Sequence, residues 1–216
     1  MEEQGCRPEA RHYNEYTRTK AQAEQLLRQS GLPSLIVRPS IVLSAGLAER
    51  RFAMNILWCL PLLNLLGAAP IHPDSRLDFV TIEFVVESLI KLLRLPQRRH
   101  QCYHLSAGET GSITARRLEQ FLHGFYGRTE RAQLFPQAEW TSALKRRFVQ
   151  TQDQRFAAIR LRPYLPFMNM NTVFDNRRLR AELADTMPHN PDPLSYMGTL
   201  LGQFSLADAL AASRNP

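Results

Sequence analysis

The sequence predicts an α/β fold in which part of a parallel sheet is followed by a mainly helical region. Three observations point there. KAQAEQLLRQSGLPSLIVRPSIV (20–42) reads helix, tight turn, strand. RLDFVTIEFVVESLIKLL (76–93) and QCYHL (101–105) repeat the alternation as strand, helix, strand. Beyond about residue 110 the apolar spacing is helical nearly throughout. The chain therefore divides into 1–110, the sheet part with its first helix, and 111–216, a mainly helical region suited to holding a substrate.

The elements follow in order. On the first helix Tyr16, Lys20, Ala23 and Leu27 fall on one stripe, which becomes apolar along its length and is expected to point inward. Gly31 is placed to end that helix in the left-handed conformation, and Pro33 bars its continuation. Leu35, Ile36 and Val37 make a short apolar run, as a strand buried on both faces requires. Pro39, in Arg38-Pro39-Ser40-Ile41-Val42, supplies no backbone donor, so the chain is expected to leave the sheet there. Ligands of open parallel sheets bind beyond the carboxyl ends of strands, which makes this turn a ligand-facing edge.

The stretch Ala53–Ile71 (AMNILWCLPLLNLLGAAPI) nearly reaches membrane-spanning length, but Asn55, Pro61 and Asn64 interrupt it. The favoured reading is a buried helix broken at Pro61 that lines a pocket for an apolar substrate, with contact to lipid as the lesser expectation. Ile82, Val85, Val86, Leu89 and Leu93 predict a one-faced helix stopped by Pro96. A strand at 101–105 and a loop at Gly108–Gly111 come next, then an amphipathic helix through Leu118, Phe121, Leu122 and Phe125. A basic helix over 140–156, an irregular aromatic segment over 160–171 and a short helix over 176–184 capped by Asp175 continue the chain. Pro188, Pro191 and Pro193 mark a linker to a last helix over 194–212.

The composition fits an ordinary folded domain: 44% of the 216 residues are hydrophobic. Three cysteines, Cys6, Cys59 and Cys102, form no C-x-x-C, which suits a reducing compartment and predicts a cytoplasmic protein. Cys102 and His104 can share a strand face, but no second pair stands at metal spacing, so no metal site is expected. H-E-x-x-H, G-x-S-x-G and phosphate-loop lysine motifs are absent, leaving hydrolase and P-loop readings unsupported. MEEQGCRPEARH at the start is polar and unlike a signal peptide.

Chemistry concentrates at Tyr16 and Lys20. Four apart on a helix, they share a face. A lysine kept charged beside a phenol favours the phenolate, and a tyrosine tuned in this way exchanges a proton near neutral pH. That is the proton chemistry of reducing a carbonyl or oxidising an alcohol.

YTRTK, the Ala23-Glu24 pair and RPSIV at 38–42 together resemble the extended short-chain dehydrogenase/reductases. Within them the chain is most similar to the male-sterility branch, which holds fatty acyl-CoA reductases and thioester reductase domains. RLDFVTIEFVVESLIKLL resembles that family's substrate-side strand and helix, CYHLSAG (102–108) a late sheet strand, and VFDNRRLRAEL (173–183) a segment near its end. The resemblance covers roughly residues 10–125. It implies the C-terminal part of a Rossmann-type parallel sheet, with Tyr16 and Lys20 catalytic and in contact with NADP (or NAD). It also implies that Pro39, Ser40 and Ile41 flank the nicotinamide, and that the partner is an acyl-CoA, an acyl carrier protein or another small carbonyl substrate.

One departure stands against these matches. The glycines, at 5, 31, 46, 67, 108, 111, 124, 127, 198 and 202, form neither G-x-G-x-x-G nor G-x-x-G-x-x-G. The family's cofactor turn precedes its tyrosine, so this chain resembles the C-terminal portion of such an enzyme, completed by an N-terminal polypeptide or left as a truncated, inactive module. Epimerase, dehydratase or hydroxysteroid-type chemistry of the same superfamily is the enzymatic alternative. The net charge of +7, concentrated at 98–100, 145–147 and 177–178, reads as solvated helix faces or as steering of an anionic cofactor or carrier. No aromatic stacking motif accompanies it, and nucleic acid is not an expected partner.

Overall fold

The computed structural model describes residue 12 and residues 14–43, 56–203 and 205–214. In chain order the elements begin with α1 (Glu15–Gln29), β1 (Ile36–Pro39), β2 (Ile41–Leu43), α2 (Cys59–Leu66), β3 (Ala68–Ala69), β4 (Arg76–Leu77) and β5 (Phe79–Thr81). They continue with α3 (Ile82–Arg94), β6 (Cys102–Leu105), α4 (Gly108–Gly111), β7 (Ile113–Thr114), α5 (Ala115–Tyr126) and β8 (Gln133–Leu134). The last are α6 (Ser142–Phe148), α7 (Gln152–Leu161), α8 (Leu165–Met168), α9 (Arg177–Leu183), α10 (Pro193–Leu201) and α11 (Leu206–Arg214). The fold is α/β with parallel strand pairs, as the sequence predicts.

Two compact units form from interleaved segments. One takes the described residues up to Val42 with Asp78–Gly111 and Val173–Pro191; the other takes those from Leu43 to Leu77, Ser112–Thr172 and those from Asp192 on. Where the sequence reading places a single boundary at 110, the chain changes unit after Gly111 and at four further points.

In the first unit β1 and β6 run parallel, with Ile36 opposite Cys102 and Arg38 opposite His104. Val80, Phe84, Leu92, Tyr103, Leu105, Leu179 and Leu183 form its core, from β5, α3, β6 and α9. β1 ends at Pro39 as expected, and after Ser40 the chain enters β2, which pairs with β5 instead. Gly31 takes φ +70°, the left-handed residue expected after α1.

Two helix faces differ from expectation. α1 buries none of its fifteen residues fully. Tyr16, Lys20 and Ala23 are exposed, while Thr17, Ala21, Glu24, Gln25 and Leu27 are half-buried. The inward side is therefore turned roughly one residue, about 100°, from the predicted stripe. An ion pair from Glu24, described below, holds that side. In α3 the buried residues are Phe84, Ser88 and Leu92, whereas Ile82, Val86 and Leu93 of the predicted face are exposed. Apolar residues flank both sides of this helix, so periodicity alone could not choose. The Thr81 hydroxyl accepts from Phe84 N–H at 3.1 Å and fixes the start of the helix.

In the second unit, Cys59, Leu60, Pro61, Leu62, Leu63 and Leu66 of α2 are buried, and the helix packs on α7 and α11. Pro61 does not break it. It sits at the third helical position, just after a 3-10 turn over Ile56–Trp58, and the helix runs through it to Leu66. Asn55 lies outside the described residues, and no described helix is long and apolar enough to cross a membrane. Gly67 ends α2 at φ +66° beneath Arg128, whose guanidinium donates to the Asn64 carbonyl. The expected basic helix over 140–156 is two helices, because Thr151 and Gln154 form a capping box that restarts the backbone. The expected last helix is likewise divided, into α10 and α11. The segment expected to be irregular carries the end of α7 and the one-turn α8.

Candidate active site

The site grows from the start of α1. Asn14 caps the helix, its Oδ1 accepting from Thr17 N–H at 3.0 Å in a reciprocal capping box. The Thr19 hydroxyl donates to the Tyr16 carbonyl at 3.0 Å. Tyr16 and Lys20 then stand one turn apart on the exposed side, with Lys20 Nζ 5.5 Å from the centre of the Tyr16 ring. Tyr16 is 65% exposed. The pair is together and open to a ligand, not turned into the core.

Glu24 anchors this helix to the sheet. Its carboxylate accepts from Arg38 Nε at 3.0 Å and from Arg38 Nη2 at 2.5 Å, and from Arg28 Nη2 at 3.0 Å. Arg38 projects from β1 and also meets His104 Nε2 on β6, Nη1 to Nε2 3.4 Å. His104 is 1% exposed, and its Nδ1 lies 3.0 Å from the Asp175 carbonyl. That carbonyl can only accept, so the proton sits on Nδ1 and Nε2 faces the guanidinium as an acceptor. Burial, and then the charge of Arg38, lower the His104 pKa to about 4, so the ring is neutral near pH 7. Cys102 lies two residues before His104 on the same strand, hence on the same face. Asp175 in turn accepts from Arg177 N–H at 2.9 Å at the start of α9, and the Arg177 guanidinium beside it holds its carboxyl below the usual range. The N-cap position of α9 is Asn176, which makes no side-chain capping bond, so Asp175 holds Arg177 N–H from one residue before the cap expected of it.

The parallel register of β1 and β6 puts Pro39 opposite Leu105, so both carboxyl ends share an edge. Ser40 N–H donates to the Leu105 carbonyl at 3.1 Å. Asp78, 4% exposed, closes this edge: its Oδ1 accepts from Ser40 Oγ at 2.7 Å and from Ala107 N–H at 2.9 Å, while its carbonyl accepts from Ile41 N–H at 3.1 Å. Ser40 and Ile41 are half-buried and Pro39 is exposed. Gly108, at φ +69°, follows β6 with Asn176 packed where a Cβ would lie. A cavity of about 690 Å³ opens beside it, lined by Glu109, Thr110, residues 173–177 and Arg180.

Of the residues predicted for the site, the structure joins Tyr16 with Lys20, and Ser40 with Ile41 through Asp78. Among the described residues no hydrogen bond links the two groups directly; the Glu24–Arg38 pair connects their elements. Sequence reasoning missed Asp78 and the His104–Arg38 contact. The acid inside the apolar run LDFV was the available signal for Asp78, since a carboxylate there is buried and needs donors. The exposed phenol and ammonium are open to a ligand, while these 216 residues hold no glycine-rich turn for the pyrophosphate of a dinucleotide.

Comparison with known proteins bears on the family and the fold. Residues 2–89 match the sequence model of an NAD-binding family described as male sterility protein. A search of the curated proteins found no match. Among solved structures, the thiolation-reductase di-domain of an archaeal non-ribosomal peptide synthetase is similar over 97% of this chain and 44% of its own, at 17% identity and a TM-score of 0.70. The terminal R domain of the myxalamid PKS-NRPS pathway is similar over 87% and 49%, at 23% identity and a TM-score of 0.62. The chain thus spans about half the length of these structures. Sequence and fold comparisons point the same way: residues 2–89 match the male sterility family's sequence model, and the fold over most of the chain is similar to that of these two reductase domains.

Proposed function

We propose that this chain supplies the catalytic tyrosine and lysine of an NADP(H)-linked reductase acting on a carbonyl or carrier-bound acyl thioester. The observation that carries the reading is the juxtaposition of Lys20 Nζ and the Tyr16 ring, 5.5 Å apart, on the open side of a capped helix tied to a parallel strand. The nicotinamide, when bound, supplies the hydride. Tyr16 gives its phenolic proton to the oxygen that gains charge, and Lys20 holds the ribose hydroxyls. Pro39, Ser40 and Ile41 flank the nicotinamide, their backbone held by Leu105 and Asp78. The glycine-rich pyrophosphate cradle comes from sequence other than these 216 residues.

The test is made on the chain joined to, or mixed with, the glycine-rich half of a thioester reductase, following NADPH oxidation driven by an acyl thioester. Tyr16→Phe is expected to cut turnover by about two to four orders of magnitude, the usual worth of a positioned proton donor, with NADPH affinity nearly unchanged. Turnover preserved in that variant would contradict the role. Micromolar NADPH binding by the chain alone would overturn the need for a completing half.

A further inference from the structure

We propose that α3 is a self-association surface, through which two copies of this chain pair with their α3 helices antiparallel across a two-fold axis. Ile82, Val86, Ile90 and Leu93 are exposed by 36%, 47%, 42% and 58%. They follow one another along one side of the helix, away from the side on which Phe84, Ser88 and Leu92 are buried. Apolar residues exposed singly are ordinary, but four in a row on one helix form a patch that a partner can cover.

The charges beside the stripe say which partner. Glu83 and Glu87 stand in the first half of α3, Lys91 and Arg94 in the second. Glu87 and Lys91 answer each other within the helix at 3.4 Å, and Lys91 Nζ also donates to the Thr186 carbonyl at 2.6 Å. Glu83 and Arg94 are exposed, and among the described residues neither has an ion-pair partner. About three helical turns separate them, so they lie on the same flank of the stripe at its two ends. A two-fold axis across an antiparallel pair keeps that flank on one side in both copies. It sets Glu83 of each copy level with Arg94 of the other, so the contact gains two ion pairs. A parallel pair would put acid level with acid, with the charged flanks on opposite sides. The helix dipole favours charges of these signs at the two ends, but it does not account for the apolar row beside them. A partner of one sign would leave half of the charged flank unanswered, whereas a second copy answers all of it.

One stripe per copy is smaller than a standard interface, so the dimer is weak and depends on concentration. Analytical ultracentrifugation of the full chain, from about 1 µM to about 300 µM at low salt, is expected to show the mass rising toward that of two chains. Val86→Lys, near the middle of the stripe, is expected to abolish the rise. Glu83→Arg and Arg94→Glu should each weaken association about tenfold, because every contact holds the pair twice. Glu83→Arg combined with Arg94→Glu should restore it, since complementarity returns with the signs exchanged. All three positions are exposed, and circular dichroism checks the fold; if Val86→Lys does not fold, the charge exchange decides alone. A constant mass, association undiminished by folded Val86→Lys, or a double exchange no better than its single variants would overturn the proposal. So would dissolution of the dimer by the glycine-rich half of a thioester reductase whose binding Val86→Lys abolishes, since the stripe would then belong under that half.

Discussion

Arg38 grips Glu24 side-on, Nε at 3.0 Å from one carboxylate oxygen and Nη2 at 2.5 Å from the other, joining strand β1 to helix α1. The side chains are 24% and 10% exposed, so the pair is shielded without being fully desolvated. Glu24→Gln should cost about 2 kcal/mol, between an exposed pair and a buried one, and should loosen α1. Urea denaturation gives the loss, and hydrogen exchange across residues 15–29 should rise before that of β6. Unchanged exchange in α1 would count against the anchoring role.

His104 makes the fold acid-sensitive. Its folded pKa, lowered to about 4, lies below the ordinary histidine value of about 6.5, so between these pH values the unfolded chain binds the extra proton. Stability is full above about pH 6.5 and falls as pH drops toward 4, by up to about 3 kcal/mol from this ring. Thermal melts of the wild type and His104→Gln at pH 7 and pH 4.5 check it. The variant should be weaker at pH 7 yet lose less on acidification.

Asp78→Ala should be more damaging than Ser40→Ala. The first strands both the Ser40 hydroxyl and the Ala107 N–H, at about 3 kcal/mol; the second removes one hydrogen bond from the carboxylate, at about 1–2 kcal/mol. Paired denaturation curves give the order. Equal losses would mean that the carboxylate does not close the edge.

Two glycines with nearly the same φ should respond differently to alanine. Gly31 (φ +70°) has open space at its Cβ position, so only backbone strain of about 1 kcal/mol is expected. Gly108 (φ +69°) would place a methyl 2.8–3.0 Å from three Asn176 atoms, adding a steric term and a larger loss, about 2–3 kcal/mol. Calorimetric melting of the two variants tests the contrast.

Leu92 and Leu93 separate the two possible faces of α3. Leu92 is 0% exposed and Leu93 58%. Leu92→Ala should cost about 3 kcal/mol and Leu93→Ala less than about 0.5 kcal/mol. The reverse order would restore the face read from periodicity.

Much of the first unit was legible in the sequence. Helix, Gly31 turn, strand, Pro39 exit and the later strand at Cys102 are local, written in turn residues and short apolar runs whose physics is settled within a few positions. The pairing of Tyr16 with Lys20 is also local, a consequence of one helical turn. Facing directions were less legible. α1 and α3 carry apolar groups on more than one side, and their orientation came from Glu24 reaching Arg38 and from Thr81 starting its helix in register.

By itself, then, the sequence determined the alternation of elements, the pairing of Tyr16 with Lys20 and the lack of a glycine-rich turn among its 216 residues. Only the tertiary structure decided that Asp78 would close the sheet edge, that His104 would be buried neutral against Arg38, and that α2 and α7 would enclose an apolar cavity bordered by Lys145 and Arg162. Those relationships join residues tens of positions apart. A buried polar group takes whatever partner the folded chain brings within reach, and spacing along the chain does not encode that choice.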